Sequence, residues 1–256
     1  MSAESAEPIL RLRGIGRRFG GLDAVRDVDL EIAPGERRAI LGPNGAGKTT
    51  LFNVISGDIP PTAGSIELFG ADITRLPARA RAKLGLSRTY QTSRLFLGLT
   101  VEDNLYLAVL GVSPGHLRPV ITKRDAELRE RARALARSSG LEGRERTVVG
   151  SLSHGEQRQL EIGIARASEP ILMMLDEPAS GLSRGERVAL TEQLLALDSK
   201  ITLILIEHDM DVALRVAQRV TMMHEGAVIV EGTPDEIRAN QTVHDLYLGR
   251  GYGQDG

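Results

Sequence analysis

The stretch GPNGAGKTT, Gly42–Thr50, decides how the rest of the chain is read. It matches G-x-x-x-x-G-K-[ST], a loop whose backbone N–H groups cradle phosphates. It follows the strand-like run Arg37–Leu41 and precedes the helical TTLFNVISG, which is the context the motif needs. Gly42, Pro43, Asn44, Gly45, Ala46 and Gly47 supply the turn. Its glycines let N–H groups face an anion, and the helix N-terminus adds its positive dipole end. Lys48 is placed to reach the β- and γ-phosphates of a nucleotide. Thr49 is placed to offer its hydroxyl to Mg²⁺, and Thr50 completes the motif.

Outward from this loop, short apolar runs alternate with helical patterns. Ile171–Leu175 and Ile201–Ile206 are uninterrupted apolar runs, as strands buried on both faces require. Arg184–Leu197 between them reads as a helix. This rhythm predicts an α/β fold with a mainly parallel sheet covered by helices. Ile9–Arg13, Val28–Ile32 and Ser65–Leu68 read as short strands of a small antiparallel sheet beside it. From Thr100 to Gly150 no strand is predicted. Thr100 with Asp103 resembles a capping box opening VEDNLYLAVL, and Lys123–Ser138 is helical and rich in Arg and Glu, so an all-helical insert is expected. Thr233, Pro234 and Glu236 form the N-cap, first position and box partner of a C-terminal helix.

The bulk composition excludes several classes. The 256 residues are enough for one large domain with a substantial core. Net charge is −2, so nothing in the balance demands nucleic acid or an anionic membrane. There is no Cys, which removes disulfides, thiolate catalysis and Cys-based zinc sites. MSAESAEPIL lacks a basic stretch followed by an apolar core, so no signal peptide is read. Runs such as ITLILI and ILMML are too short to span a bilayer. In Arg124–Arg146, Glu127, Glu130, Glu142 and Glu145 interleave with the arginines, which favours a solvated face over a nucleic-acid surface.

Ile171–Leu175 delivers Asp176 and Glu177 to the end of a buried strand. Beside a phosphate loop, Asp176 is a candidate Mg²⁺ partner, and Glu177 a candidate base for the attacking water. The run ITLILIEHD brings His208 to the carboxyl edge of the same sheet, where ligands bind, within reach of a γ-phosphate. LSHGEQ, Leu152–Gln157, sets Ser153 and Gly155 at another helix start, a second place to hold an anion. Ser153 with Glu156 is also a plain capping box. Phe19, in RRFGG, fits either the core or an exposed platform for a base, and Gln91, in SRTYQ, carries little by chemistry alone.

The phosphate loop, SRTYQ, LSHGEQ, LMMLDEP, SGLS and IEHD occur in that order, and together they resemble the ATP-binding cassette ATPases from about Ile9 to Leu248. The resemblance implies a P-loop NTPase core with a small antiparallel β subdomain and an all-helical insert. It divides the single 256-residue domain into a core (1–90 with 160–240), a helical subdomain (91–159) and a tail (241–256). It implies ATP and Mg²⁺, with Phe19 stacking on adenine, and Gln91 touching Mg²⁺ and water. It also implies head-to-tail pairing, in which Ser153, Gly155 and Glu156 close the nucleotide of a second ATPase subunit. His154 stands where Gly is commoner, Glu156 where Gln is usual, and Ser183 where many members carry Asp.

By the same resemblance, Thr92–Leu99 with the helical insert meets integral membrane permease subunits, Leu95, Phe96 and Leu97 being expected as exposed contacts. RTYQTSRLF, LTVEDNL, QLEIGIARA, IEHDMDVAL and HEGAVIVEGTPDEI look like bacterial branched-chain amino-acid uptake ATPases. A periplasmic binding protein is then an indirect partner, and the chain is peripheral at the cytoplasmic face of the inner membrane. The urea and short-amide branch shares LSHG, and the lipopolysaccharide export cassette has a similar core. A cassette acting on nucleic acid or ribosomes is the competing class.

Overall fold

A computed structural model describes residues 7–89, 95–113 and 123–243. Two sheets organise them. The antiparallel sheet has the order β2-β1-β4-β5, built from β1 (Leu10–Phe19), β2 (Leu22–Ile32), β4 (Ala63–Leu68) and β5 (Ala71–Asp72). The second has the order β10-β9-β3-β8-β7-β6, with β3 (Arg37–Leu41), β6 (Leu86–Arg88), β7 (Leu172–Asp176), β8 (Thr202–Ile206), β9 (Arg219–His224) and β10 (Ala227–Gly232). Pairing is parallel from β9 to β6, and only β10 runs antiparallel, at the edge.

Alternation along the central strands divides the interior into two layers. Ile40, Leu172, Met174, Ile204 and Ile206 face one side and pack with the antiparallel sheet and α1 (Lys48–Ser56). Ala39, Leu41, Met173, Leu175, Leu203 and Leu205 face the other, toward α5 (His154–Arg166), α6 (Arg184–Leu195) and α7 (Met210–Val216). Residues that alternate in facing yet are apolar throughout explain the unbroken runs in the sequence. A third cluster joins α3 (Val101–Val112), α4 (Lys123–Ser138) and the start of α5 through Val101, Leu105, Ala132, Ala136 and Leu160. Helix α5 therefore belongs to both layers, giving Leu160 to the helical cluster and Ile162 to the sheet cluster.

Several details differ from the sequence reading. The first two strands are longer than expected, because register shifts between Leu12 and Arg18 interrupt the alternation that a periodic pattern depends on. The strand before Asp176 begins at Leu172, and Ile171 is half exposed. The arginines of α4 pair within the chain, Arg129 and Arg133 with Glu102, and Arg137 with Glu130. Thr100 accepts from the Asp103 N–H, and Thr233 with Glu236 completes the capping box ahead of α8 (Pro234–Ala239).

Helix α1, which carries Lys48, is fixed at its far end by a buried cation. After α2 (Ala78–Lys83) begins, Arg81 turns inward, 1% exposed, and donates to the carbonyls of Val54 and Ile55 at 2.7 Å, Leu76 at 2.8 Å and Thr74 at 3.1 Å. Charge-assisted bonds to helix C-terminal carbonyls also suit the dipole. Arg81→Met leaves these carbonyls without partners. It is expected to cost about 3 kcal/mol and lower Tm by roughly 10 °C in a thermal melt.

Candidate functional site

The phosphate loop sits where the two sheets meet. Gly226 accepts from the Arg26 N–H at 2.7 Å and donates to the Ala46 carbonyl at 3.0 Å, tying the loop to β2 and to the β9–β10 turn. Gly47 has φ 95°, and a Cβ there would meet the Ala24 carbonyl at 2.3 Å, so only glycine fits this crossing. The result is a cleft of about 830 Å³ at the carboxyl edge of β3. It gathers Phe19, Asn44, Gly45, Ala46, Gly47, Lys48, Thr49, Thr50 and Glu177. Phe19 is exposed at the rim, with the Arg17 guanidinium 4.5 Å from its ring centre.

Lys48 is 6% exposed and donates to the Gly42 carbonyl at 2.6 Å and the Pro43 carbonyl at 3.1 Å. Gly42 and Pro43 thus serve the site through their carbonyls. Burial lowers the Lys48 pKa, opposed by the carboxylates of Glu177 and Asp176. Asp176 is buried at the end of β7. Its Oδ2 accepts from Arg88 at 3.0 Å, and its Oδ1 has no partner among the described residues. Burial raises the Asp176 pKa, and Arg88 opposes that shift. A buried carboxylate oxygen unpartnered among the described residues, with the Lys48 ammonium acting on it and the Thr49 hydroxyl lining the cleft, offers oxygen donors of the kind a hard cation such as Mg²⁺ takes.

Glu177 adopts φ 48°, turning its side chain out of the strand line into the cleft, while its N–H stays bound to the Ile206 carbonyl at 2.9 Å. His208 Nδ1 lies 3.7 Å from Glu177 Oε2. One fully buried carboxylate holds both loops. Glu207 accepts from the Ala179 N–H at 2.7 Å and from the N–H groups of His208 at 3.2 Å and Asp209 at 3.4 Å. Burial raises its pKa against these bonds. Neither Arg88 nor Glu207 was assigned a role from the sequence, although both stand inside quoted motifs.

Ser153, Gly155 and Glu156 do not line this cleft. Ser153 caps α5, and Glu156 closes the box on the Ser153 N–H at 2.9 Å and pairs with Arg144 at 3.1 Å. The Gly155 N–H donates to Glu186 Oε1 at 2.9 Å. Ser183 is likewise the N-cap of α6, with Glu186 as its box partner. Gln91 lies outside the described residues. Phe96 and Leu97 are exposed, whereas Leu95, expected to be exposed, is half buried against the helical cluster. The buried Asn104 side chain brackets Phe96, accepting from its N–H and donating to its carbonyl, which draws this segment onto α3.

A family model described as ABC transporter matches residues 25–180, and one described as branched-chain amino acid ATP-binding cassette transporter matches 227–253. The chain belongs to the ABC transporter family and is one of its ATP-binding cassettes, an ATPase coupled to transport. It is 38% identical over 252 residues to the high-affinity branched-chain amino acid transport ATP-binding protein LivG of Escherichia coli (strain K12), covering 95% of this chain and 99% of that one. It is 36% identical to BraF of Pseudomonas aeruginosa, which carries the same description, over 260 residues and the same shares. Among solved structures, a nucleotide-free ATP-binding cassette from an ABC transporter aligns with TM-score 0.82 and 28% identity, covering 94% of this chain and 98% of that one. The ADP conformation of such a cassette aligns with TM-score 0.83 and 28% identity, covering 96% and 100%. No helix among the described residues is long and apolar enough to cross a membrane.

Glu207→Ala leaves three N–H groups of the Glu177 and His208 loops without their acceptor. Steady-state ATPase assays are expected to show kcat lowered at least about tenfold, with KM for ATP within about twofold. Glu186 yields a pH expectation. Bonds from the Ser183 and Gly155 N–H groups, then the Ser183 and Ser153 hydroxyls, lower its pKa from 4.5 to about 2. A carboxylate so depressed adds stability that is fully present above pH 4.5 and is lost as pH falls through about 2. Acid unfolding followed by circular dichroism is therefore expected to be shallower for Glu186→Gln over that window.

Proposed function

We propose that this chain drives a branched-chain amino-acid importer, by closing on a second ATPase subunit around ATP and hydrolysing it. The substrate class is supported by the C-terminal family match and by the descriptions of LivG and BraF. The mechanism is carried by one observation. Lys48, Thr49 and Glu177 line one cleft, while Ser153 and Gly155, built on an anion-binding helix start, lie outside it. A phosphate loop covers one side of a triphosphate and leaves the other to water. Ser153 and Gly155 of a partner copy supply the missing side and exclude that water.

In this reading Phe19 stacks on the base, and the loop from Gly42 to Thr50 wraps the phosphates. Asp176 and the Thr49 hydroxyl hold Mg²⁺ with Gln91, and the ion offsets the charge of the β- and γ-phosphates. Lys48 leaves the Gly42 and Pro43 carbonyls for the γ-phosphate. Glu177 takes the proton of the attacking water, and His208 steadies Glu177 and the γ-phosphate. Hydrolysis to ADP and phosphate removes the anion that bridged the two subunits, so the pair opens. Phe96 and Leu97 meet a membrane permease, which places the protein at the cytoplasmic face of the membrane, with a periplasmic binding protein delivering cargo on the other side.

Glu177→Gln keeps the shape of the site and removes the base. ATP binding is expected to persist, turnover to fall about 10²–10⁴-fold, and an ATP-dependent dimer to accumulate in light scattering. Normal hydrolysis by this variant contradicts the assigned base. In vesicles with the cognate permease and binding protein, ATP-dependent uptake of leucine, isoleucine or valine tests the cargo. Uptake of urea or short amides instead assigns the chain to that branch.

A further inference from the structure

One of the two groups assigned to the partner's γ-phosphate is already occupied. Glu186, in the first turn of α6, accepts from the Gly155 N–H at 2.9 Å, and the nearby Ser153 hydroxyl helps hold its pKa low. It also accepts from the Ser183 N–H at 3.0 Å and the Ser183 hydroxyl at 2.8 Å. A Cβ on Gly155 would lie 2.6 Å from Glu186 Cγ, so the carboxylate arm fills the space directly above the α5 N-terminus. An anionic oxygen held by a backbone N–H at a helix start has the chemistry of a phosphate oxygen in the same place.

We propose that Glu186 is a positioning residue: its carboxylate is the resident anion of the Ser153–Gly155 site, and the γ-phosphate of a partner-bound ATP must displace it for the pair to close. This rests on the reading that Ser153 and Gly155 grip the partner's nucleotide. The consequence is electrostatic. Two anions cannot share the Gly155 N–H, so closure breaks its bond to Glu186 and moves that charge away from the incoming phosphate. The same carboxylate caps α6 through Ser183, so release of Glu186 transmits closure from the LSHGEQ segment to the SGLS segment. Ser183 thereby acts where many relatives carry Asp: its hydroxyl donates to Glu186, whereas an Asp would repel it.

The test measures the MgATP concentration for half-maximal dimerisation of the full chain in the Glu177→Gln background, by light scattering. Glu186→Gln keeps an acceptor and the helix cap but removes the charge. Glu186→Asp keeps the charge on an arm one methylene shorter, which withdraws it from Gly155. Both are expected to dimerise at lower ATP, roughly tenfold lower for Gln. A merely structural role predicts no gain for Gln, which keeps the cap, and a higher ATP requirement for Asp, whose shorter arm weakens the cap of α6. Folded variants, checked by thermal melt, that need the same or more ATP overturn the proposal. Ser153→Ala in the same background separates it from the reading beneath it. Loss of the ATP dimer in Ser153→Ala with no gain in Glu186→Gln leaves that reading standing and removes only Glu186's role. Retention of the dimer in Ser153→Ala removes both, as does a Glu177→Gln chain that stays monomeric at saturating MgATP.

Discussion

A triphosphate carries several negative charges, and stripping it of water is costly unless oriented donors replace that water on every side. This constraint organises the molecule. The chain builds one set of donors at the carboxyl edge of β3, where a tight glycine turn meets the start of α1 and Lys48 is buried among carbonyls. It builds another at the start of α5, outside that cleft. On the proposed function, neither set encloses an anion alone, the need for a partner is a matter of unfinished solvation, and ATP is the element both halves share.

The fold's remaining features hold these sets in place. Apolar strands buried on both faces fix the edge from which Asp176, Glu177 and His208 emerge. Arg81 fixes the far end of α1, and Arg88 joins Asp58 to Asp176. Glu207 is a buried carboxylate satisfied by backbone N–H groups, and it couples the two loops that carry Glu177 and His208. Groups of this kind specify geometry more than they add stability, since their desolvation offsets much of their bonding.

Much of this was legible in the sequence. The phosphate loop is local, its physics depends on spacing, and it lines the cleft as the motif implies. The central strands were legible because burial on both faces leaves an unbroken apolar run. The long β1–β2 hairpin was not, because bulges between Leu12 and Arg18 break the period that reveals a strand. Contacts between distant segments were equally hidden. Nothing in the spacing of Glu186 and Gly155 announces that the first sits on the second, or that Glu207 reaches back to Ala179. Leu95 looked like a surface contact beside Phe96 and Leu97, and only the packing of the helical cluster distinguishes it.

The absence of native cysteine makes the central claim open to a direct measurement. Asn44 is exposed on the phosphate loop of one copy, and His154 on the helix start of the other. With Asn44→Cys and His154→Cys placed on separate chains in the Glu177→Gln background, oxidation is expected to yield an intermolecular disulfide with MgATP and little without nucleotide. Cross-linking that ignores ATP, or that fails at saturating ATP while the chains remain paired, contradicts the account that one copy's helix start completes the other's nucleotide site.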